Sequence, residues 1–525
     1  MGRSMNPERD LDRYVVTAAQ MQAIESRVFA AGMPVAALME KVAGLIARRV
    51  IAWRPIARGR RVGVLAGPGH NGGDALVVAR ELHLRGYEVA VWLPFDRRKE
   101  LTDRHAQYAV SLGIAVSADL EPILAADWIV DGLFGFGLER PIEGELATAI
   151  ARVNVSPLPV VSIDLPSGLH TDTGEVLGTA VRATRTLCLG LWKRGLLLDR
   201  ALESIGTAEL IDFDLPLADI QAVLGDRPRL QRVTRRSARL PLDRSPVTHK
   251  YQQGHLLLVA GSADYMGAAL LAALGARSSG VGMLTVAVPA SLKPWLVAQV
   301  PEALVVACPE TPTGAIGALD LDLSRYDAIT CGCGLTRAAG AIVQTVWASD
   351  RPLVLDADGL NGLAEGGWRD RAAPVVITPH RGEFRRLFPD LDATTDDQGD
   401  SIELAQRAAH QTGAIVLLKG ARTVVAEPGG QAWIVPESTP ALARGGSGDV
   451  LAGVLGGLLA RSRPTAIADW GELTAAAADW HARAGIHAAA ARSILGVDGA
   501  SLAESLLAVA REDWAEGDRL DRVKM

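Results

Sequence analysis

Residues 444–449 read Arg-Gly-Gly-Ser-Gly-Asp and stand directly before an apolar segment at 450–460. A glycine turn before a buried helix presents backbone N–H groups at the helix N-terminus, where they and the helix dipole attract phosphate oxygens. A carboxylate at Asp449 would repel that phosphate unless it took a proton from the hydroxyl group that attacks it. The stretch therefore predicts a nucleotide-using α/β enzyme, and a plain Asp helix cap is the alternative interpretation.

Polar segments follow three apolar runs in the same half of the chain. They are LDADGLN at 355–361, TPHRGE at 378–383 and LKGART at 418–423. In α/β proteins, ligands bind at the carboxyl ends of parallel strands, on the loops that follow. We therefore expect the three segments to share one edge of one sheet with the turn at 444–449.

Short apolar runs alternate with amphipathic segments in both halves, which indicates parallel sheets covered by helices on both faces. Each half is therefore predicted to be a three-layer α/β/α domain. The predicted strands cover residues 61–66, 88–93, 128–130 and 160–163 in the first half, and 255–260, 283–288, 328–331, 352–355, 375–377 and 415–418 in the second.

A polar stretch rich in arginine and proline separates the two halves. We interpret residues 221–247 as a solvated linker between a first domain over 1–220 and a second over 248–515. A chain of 525 residues allows roughly two to four domains, so two large domains fit its length.

Composition narrows the classes of partner. The net charge of −6 argues against a general nucleic-acid or membrane-surface partner. The charged N-terminus lacks the apolar core of a signal peptide, and no apolar run is long enough to span a bilayer. The four cysteines lack metal-site spacing and are interpreted as reduced, packed thiols. We expect a cytoplasmic, homo-oligomeric enzyme that acts on small molecules.

Three segments of the first half also follow predicted strands. AGPGHNGGDAL at 66–76 joins a glycine turn to the start of a helix, which points backbone N–H groups at a phosphate. The others are DGLFGFGLERP at 131–141 and DLPSGL at 164–169. Their side chains offer hard oxygen ligands, which suit an alkali or alkaline-earth cation. The ligand set consists of Asn71, Asp131, Asp164 and Ser167.

Taken in order, the segments of the second half resemble the ribokinase-like family of ADP/ATP-dependent NAD(P)H-hydrate dehydratases. Further matches are HK at 249–250, AGSADYMGAA at 260–269 and GCGL at 332–335. One departure is CGCG at 331–334, where the family usually has Gly-Pro-Gly-Leu-Gly. The resemblance covers about residues 249–509. It implies an enzyme that phosphorylates the ring hydroxyl of hydrated NADH or NADPH and then eliminates it.

The same resemblance implies a role for each matching residue. Asp449 is expected to activate the substrate hydroxyl, and Gly448 to hold the transferred phosphate. Mg²⁺ is expected because charge develops on phosphate oxygens, and the phosphate donor is ADP or ATP. The residues expected at the nucleotide are Lys419, Gly420, Ala421, Arg422 and Thr423. Those expected at the hydrated nicotinamide nucleotide are Ala268, Gly334, His380 and Asp449.

The first half resembles the NAD(P)H-hydrate epimerase domain, also called the YjeF N-terminal domain, over about residues 14–214. A helical segment with LMEKVAG at 38–44 also fits, although Lys41 and His70 stand where the family more often has Asn. The resemblance implies a Rossmann-like fold, K⁺ bound by Asn71, Asp131 and Ser167, and Asp164 as the base for ring opening and reclosure. The residues expected to bind the hydrate are His70, Asn71, Gly72, Gly73, Asp74, Gly135, Phe136, Gly137, Leu138, Glu139, Arg140, Pro141 and Asp164.

The two resemblances together imply a bifunctional repair enzyme that interconverts the R and S hydrates of NAD(P)H and dehydrates the S form. Two alternatives stay open from the sequence. The second half could be a ribokinase-like kinase that releases a phosphorylated small molecule, or the first half a binding or scaffold module with an inactive site. The sequence does not reveal the choice between ADP and ATP, or between the NADH and NADPH hydrates.

Overall fold

The computed structural model describes residues 10–235, 237–238, 240–241, 244–368, 371–392 and 399–523. The chain divides into two compact units, Met1–Leu230 and Gln231–Met525. Each unit has its own sheet and its own core.

Parallel strands form two sheets in the first unit. These strands are β1 (Val15–Val16), β2 (Arg61–Ala66), β3 (Glu88–Trp92), β4 (Ala115–Ser117), β5 (Trp128–Gly132), β6 (Val160–Ile163), β7 (Arg185–Leu189), β8 (Trp192–Lys193) and β9 (Thr207–Ile211). Seven of them form one sheet in the order β4-β3-β2-β5-β6-β7-β9, while β1 pairs with β8. Because the order reverses between β2 and β5, the loops after these strands open a crevice at the carboxyl edge.

Helices cover both faces of this sheet. Alternate residues of β5 enter different cores: Val130 packs in one and Ile129 in the other. This is the three-layer arrangement predicted from the sequence. The helices are α1 (Ala18–Ala30), α2 (Val35–Trp53), α3 (His70–His83), α4 (Glu100–Ser111), α5 (Glu121–Leu124), α6 (Gly144–Val155), α7 (Leu202–Ile205) and α8 (Leu217–Leu224).

The second unit contains a ten-stranded sheet. Its strands are β10 (Leu230–Arg232), β11 (His255–Val259), β12 (Met283–Pro289), β13 (Leu304–Cys308), β14 (Ala328–Cys331), β15 (Leu353–Leu355), β16 (Val375–Ile377), β17 (Ile415–Leu418), β18 (Val424–Ala426) and β19 (Ala432–Ile434). The order is β10-β19-β18-β17-β16-β15-β14-β11-β12-β13. Strands β11 to β17 pair in parallel, and β18 runs antiparallel to both of its neighbours. The order reverses between β11 and β14, which again opens a crevice at the carboxyl edge.

Helices also cover both faces of the second sheet, and the predicted fold class is confirmed. Helices α9 and α16 pack closely, because a β-carbon on Gly453 would lie 1.9 Å from the carbonyl oxygen of Ala272. The helices are α9 (Met266–Ser278), α10 (Lys293–Gln299), α11 (Gly340–Trp347), α12 (Asp358–Gly366), α13 (Arg381–Leu387), α14 (Pro389–Asp392), α15 (Ser401–Thr412), α16 (Ser447–Ser462), α17 (Ile467–Arg492) and α18 (Gly499–Val523).

The stretch interpreted as a linker contains structure that the sequence analysis does not predict. Strand β10 lies inside it, and the backbone N–H of Val233 donates to the carbonyl of Ile434 at 2.9 Å. Arginines and prolines mask the short strand, which shows no apolar alternation. The domain limits 1–220 and 248–515 stay predictions. Within the ranges given above, the structure contains no helix of the length and apolarity needed to cross a bilayer.

Candidate active sites

The turn at 444–449 leads into α16, whose residues 450–460 are buried. Gly446 is its N-cap, and the Arg444 guanidinium holds the turn by donating to the carbonyls of Leu495 and Val497 at 3.1 and 2.9 Å. The first N–H groups of a helix have no acceptor inside it. The start of α16 therefore presents N–H groups and the positive end of a helix dipole, which suit a phosphate.

Asp449 lies in the first turn of α16 beside two other side chains. The ligand atoms of Cys333, Asp356 and Asp449 all lie within 4.8 Å of one another. Burial and, to a smaller extent, the charge of Asp356 raise the pKa of Asp449 to about 6. A hydrogen bond from the Cys333 thiol and the charge of Lys419 act in the opposite direction and lower this pKa. Burial also raises the pKa of Cys333 well above its usual value, so the thiol keeps the proton that it donates. A carboxyl with this pKa can accept a proton near neutral pH.

Lys419 follows β17 and reaches the same cluster. Its Nζ lies 2.7 Å from Asp356 Oδ1 and 3.8 Å from Glu383 Oε2, and the Thr378 hydroxyl donates to Asp356 Oδ1 at 2.8 Å. A β-carbon placed on Gly448 would lie 3.5 Å from Nζ. Burial lowers the pKa of Lys419, but Asp356 and Glu383 outweigh it and raise the value. Lys419 is therefore a cation beside the turn at 444–449.

His380 stands at the rim of this cluster as the N-cap of α13. Its Nδ1 accepts from the backbone N–H groups of Gly382 and Glu383 at 3.0 and 3.3 Å, and the Glu383 carboxylate accepts from the His380 N–H at 2.8 Å. The side chain is 56% exposed, with Nε2 3.6 Å from Glu383 Oε1. A backbone bridge between His380 and Lys419 ties the rim to the cluster.

The other predicted residues of the second unit fall in two places. Gly334 lies against α9, because a β-carbon on it would be 2.8 Å from that of Ala268. The loops after β11 and β14 are joined where the Gly261 N–H donates to the Cys333 carbonyl at 2.8 Å. The turn between β17 and β18 holds the remaining four, Gly420, Ala421, Arg422 and Thr423.

The structure adds residues to this site that the sequence analysis does not assign. Asp356 and Glu383 lie in the quoted segments, and an acid directly after an apolar strand is the signal that could have found Asp356. Cys333 was interpreted only as a packed thiol. The buried His481 of α17 bonds through Nε2 to the Ser447 carbonyl at 2.9 Å, and burial lowers its pKa to about 4. No local pattern marks His481, because it meets the turn only through the fold.

In the first unit, residues 67–69 connect β2 to α3. The predicted residues 70–74 form the first turn of α3, with Gly69 as the N-cap. A β-carbon on Gly72 would lie 1.8 Å from the Gly67 carbonyl oxygen, so only glycine allows this turn to close. Burial, and then the charges of Asp164 and Glu25, raise the pKa of Asp74 well above its usual value.

Asp131, at the end of β5, is a fully buried acceptor of four hydrogen bonds. Its Oδ2 accepts from the Ser162 hydroxyl at 2.7 Å and the Ser167 N–H at 2.9 Å. Its Oδ1 accepts from the Ser167 hydroxyl at 2.6 Å and the Leu133 N–H at 3.3 Å. The Ser167 oxygen in turn accepts from the Phe134 N–H at 2.9 Å. Asp131 therefore fixes the loops that follow β5 and β6 to each other.

Asp164 follows β6 with a left-handed backbone, φ 70°. Its Oδ2 accepts from the Phe136 N–H at 3.0 Å, and its Oδ1 lies 2.6 Å from Lys193 Nζ. A β-carbon on Gly135 would lie 3.0 Å from Asp164 Oδ2 and 3.3 Å from Asn71 Oδ1. The three segments selected from the sequence of the first half thus meet at Asp164.

The loop at 135–141 extends from Asp164 to the surface. The Gly137 N–H donates to the Thr171 hydroxyl at 3.2 Å, and Glu139 lies 3.3 Å from His170 Nε2. Leu138 is partly buried, whereas Arg140 and Pro141 are exposed.

Lys193 and Glu25 are further charged groups of the first site, and no sequence motif marks either of them. Lys193 is hidden in a two-residue strand, and Glu25 follows the buried Ile24 on α1. Lys41 lies elsewhere, in an ion pair with Asp214 at 2.9 Å.

Both units are similar to known proteins. Residues 256–507 match a family described as NAD(P)H-hydrate dehydratase, and residues 35–195 match the YjeF-related protein N-terminus. A bifunctional NAD(P)H-hydrate repair enzyme of Synechocystis is 53% identical over 507 residues, which cover 95% of each chain. That of Gloeobacter violaceus is 50% identical over 502 residues, which cover 94% of this chain and 97% of the relative.

A solved structure is also similar to the second unit. It is an ADP/ATP-dependent NAD(P)H-hydrate dehydratase from Bacillus subtilis, co-crystallised with ATP and Mg²⁺. The identity is 32% and the TM-score 0.47, with 53% of this chain and 97% of that chain covered. These bifunctional relatives are at least 50% identical to this chain, and the match covers nearly the whole length of both sequences. This chain therefore belongs to the family of bifunctional NAD(P)H-hydrate repair enzymes.

Proposed function

We propose that the first unit interconverts the R and S hydrates of NADH and NADPH, and that the second dehydrates the S form at the expense of ADP or ATP. The observation that carries the proposal is a carboxylate in each unit beside a glycine turn that suits phosphate. Asp449 lies in the turn that starts α16, and Asp164 faces the turn that starts α3.

In the second unit, Asp449 takes the proton of the ring hydroxyl as the hydroxyl oxygen attacks the terminal phosphorus of the donor. A bond forms between that oxygen and phosphorus, and the phosphoanhydride bond of the donor breaks. Lys419 and the N–H groups at the start of α16 bind the phosphate oxygens. Phosphate then leaves with the electrons of the C–O bond, pushed by the ring nitrogen lone pair. Loss of a proton from the adjacent carbon restores the ring double bond.

Asp356 would supply a carboxylate oxygen to Mg²⁺ beside the base Asp449. Their ligand atoms lie within 4.8 Å of each other, and carboxylate oxygens are hard ligands that suit this ion. When bound, Mg²⁺ offsets charge on the phosphate oxygens. Lys419, which is paired with Asp356, brings a further positive charge to the same place.

The raised pKa of Asp449 gives a pH dependence. Because the base must be deprotonated, the rate of dehydration is expected to fall tenfold per pH unit below about pH 6. The Cys333 thiol favours the charged form of Asp449, so Cys333→Ala is expected to move the acid limb of the rate profile to higher pH. Cys331→Ala removes the neighbouring buried thiol and serves as the control. An acid limb that is the same in the two variants contradicts this role of Cys333.

In the first unit, Asp164 takes the hydroxyl proton of the hydrate, and the bond between the ring nitrogen and the hydroxyl-bearing carbon breaks. An aldehyde forms, and the nitrogen keeps the electron pair. Rotation of the aldehyde lets the nitrogen add to its other face, and the proton returns to the new hydroxyl. The first turn of α3 binds phosphate groups of the nucleotide.

Asn71, Asp131 and Ser167 offer oxygen atoms that suit K⁺ in type. Asp131 already accepts four hydrogen bonds, two of them from Ser167, so its charge would act on the ion through Ser167. When bound, K⁺ offsets negative charge from Asp131 and from the hydrate phosphates. We infer as well that the chain is cytoplasmic and forms a homo-oligomer. We also infer that it has no nucleic-acid or membrane partner, and the net charge of −6 supports this last inference.

An absorbance assay tests the proposed dehydration. Hydrated NADH of the S form is incubated with the chain, Mg²⁺ and either ADP or ATP, and the absorbance of reduced nicotinamide is followed. We expect absorbance to return with at least one donor and phosphate to be released in equal amount. Consumption of the donor without a return of absorbance would identify a kinase that releases a phosphorylated hydrate.

A further inference from the structure

Lys193 is a lysine buried to 0% side-chain exposure, beside the carboxylate that the first site uses. Its Nζ lies 2.6 Å from Asp164 Oδ1, donates to the Leu189 carbonyl and lies 5.6 Å from the centre of the Phe136 ring. Lysine is almost never fully buried unless it is paired, because an ammonium loses much solvation free energy there. The fold therefore retains a costly charge at this point.

Three titratable groups act on this lysine: Asp164, which follows β6, Glu25 of α1 and Cys188 of β7. Asp74 of α3 interacts with Asp164 and Glu25. Burial raises the pKa of Glu25 to about 7, an effect that Lys193 opposes and Asp164 increases. Burial also raises the pKa of Asp74 and of Cys188, the latter to about 11.

Asp164 is held at both carboxylate oxygens. Oδ2 accepts from the Phe136 N–H at 3.0 Å, while Oδ1 accepts from the Leu189 N–H at 3.3 Å and from Lys193. These contacts fix a side chain whose backbone has the left-handed φ of 70°. The Phe136 N–H belongs to the loop expected to bind the hydrate, and the ring of the same residue faces the Lys193 ammonium.

We propose that Lys193 is the positioning residue of the first site: it fixes Asp164 Oδ1 and balances the charge of the base, so that Asp164 can take and return the hydroxyl proton. This inference rests on the proposed epimerisation. Lys193 acts through Asp164 and does not need to contact the hydrate. Removing the charge of Lys193 should therefore lower kcat for interconversion of the hydrates and leave KM for the hydrate nearly unchanged.

The test measures interconversion of the separated R and S hydrates by the full chain and its variants. Lys193→Met is expected to lower kcat about 100-fold and to change KM less than about threefold, within the range of a general-base contribution. Lys193→Arg keeps the charge with a different geometry and is expected at about one tenth of the wild-type kcat. Lys41→Met is the matched control, because Lys41 also pairs with an Asp of left-handed φ, Asp214 at φ 69°, but is partly exposed.

Dehydration of the S hydrate by the same molecules shows that each chain is intact. A kcat of Lys193→Met within about threefold of wild type overturns the proposal, as does a loss that appears in KM alone. If Lys193→Met fails to fold, Lys193→Arg decides: a lowered kcat at unchanged KM supports the proposal, and a wild-type kcat overturns it. If the wild-type chain does not interconvert the hydrates, the proposed function itself fails, whatever the variants do.

Discussion

Replacing Asp449 with Asn is expected to lower the rate of dehydration of the S hydrate about 1,000-fold, the range that a positioned base contributes. The amide keeps the shape of the side chain but cannot take the hydroxyl proton. Initial rates of absorbance return at saturating hydrate and donor measure the effect.

Asp469→Asn is the matched control for this variant. Asp469 occupies the third position of α17, as Asp449 does in α16, but it is exposed. Interconversion of the hydrates by the first unit should be unchanged in both variants. A dehydration rate of Asp449→Asn within about tenfold of wild type would show that another group takes the proton.

Asp164→Asn is expected to lower interconversion of the hydrates by at least about 100-fold, because the base for ring opening is lost. Dehydration of the S hydrate should remain at the wild-type rate, since Asp449 lies in the other unit. Chiral separation of the two hydrates over time measures the exchange directly. The variant also leaves the buried Lys193 without its carboxylate, so the double variant Asp164→Asn with Lys193→Met is included to remove both charges together.

Asp214→Asn provides the control for backbone conformation and for the loss of an ion pair. Asp214 has φ 69°, close to the 70° of Asp164, and pairs with Lys41 at 2.9 Å. This control should retain wild-type exchange. Exchange at the wild-type rate in Asp164→Asn would show that another group takes the proton, whereas a wild-type chain that does not speed the exchange would assign the first unit to the scaffold interpretation.

Ten strands and the strand-end motifs were predicted from the sequence, whereas the order of the strands and nine further strands in the described residues were not. Apolar runs such as those of β2 and β6 gave the strand bounds to the residue, since a strand covered on both faces must be apolar throughout. Because ligand-binding loops follow the carboxyl ends of parallel strands, the segments that hold Asp131 and Asp164 were expected to lie together. In the structure, Ser167 of the second segment donates two hydrogen bonds to Asp131. Strand β10 was not predicted because its residues are only half-buried and therefore do not form an apolar run.

Groups that reach a site from distant elements were not predictable. His481 is 34 residues from Ser447, and Lys193 is 29 residues from Asp164, so only helix and strand packing brings each pair together. Their sequence surroundings resemble those of ordinary core positions. The role of Cys333 was missed for a different reason: a buried thiol usually only packs, and the carboxylate that it meets lies in α16.

The central claim is that one chain repairs both hydrates, and the R hydrate of NADH tests it most directly. Pure R hydrate is incubated with the wild-type chain, Mg²⁺ and the donor that supports dehydration, and absorbance of reduced nicotinamide is followed to completion. We predict full recovery by the wild-type chain and a recovery by Asp164→Asn that is limited to the spontaneous rate of epimerisation. Recovery by the wild-type chain that is no faster than this spontaneous rate would contradict the account.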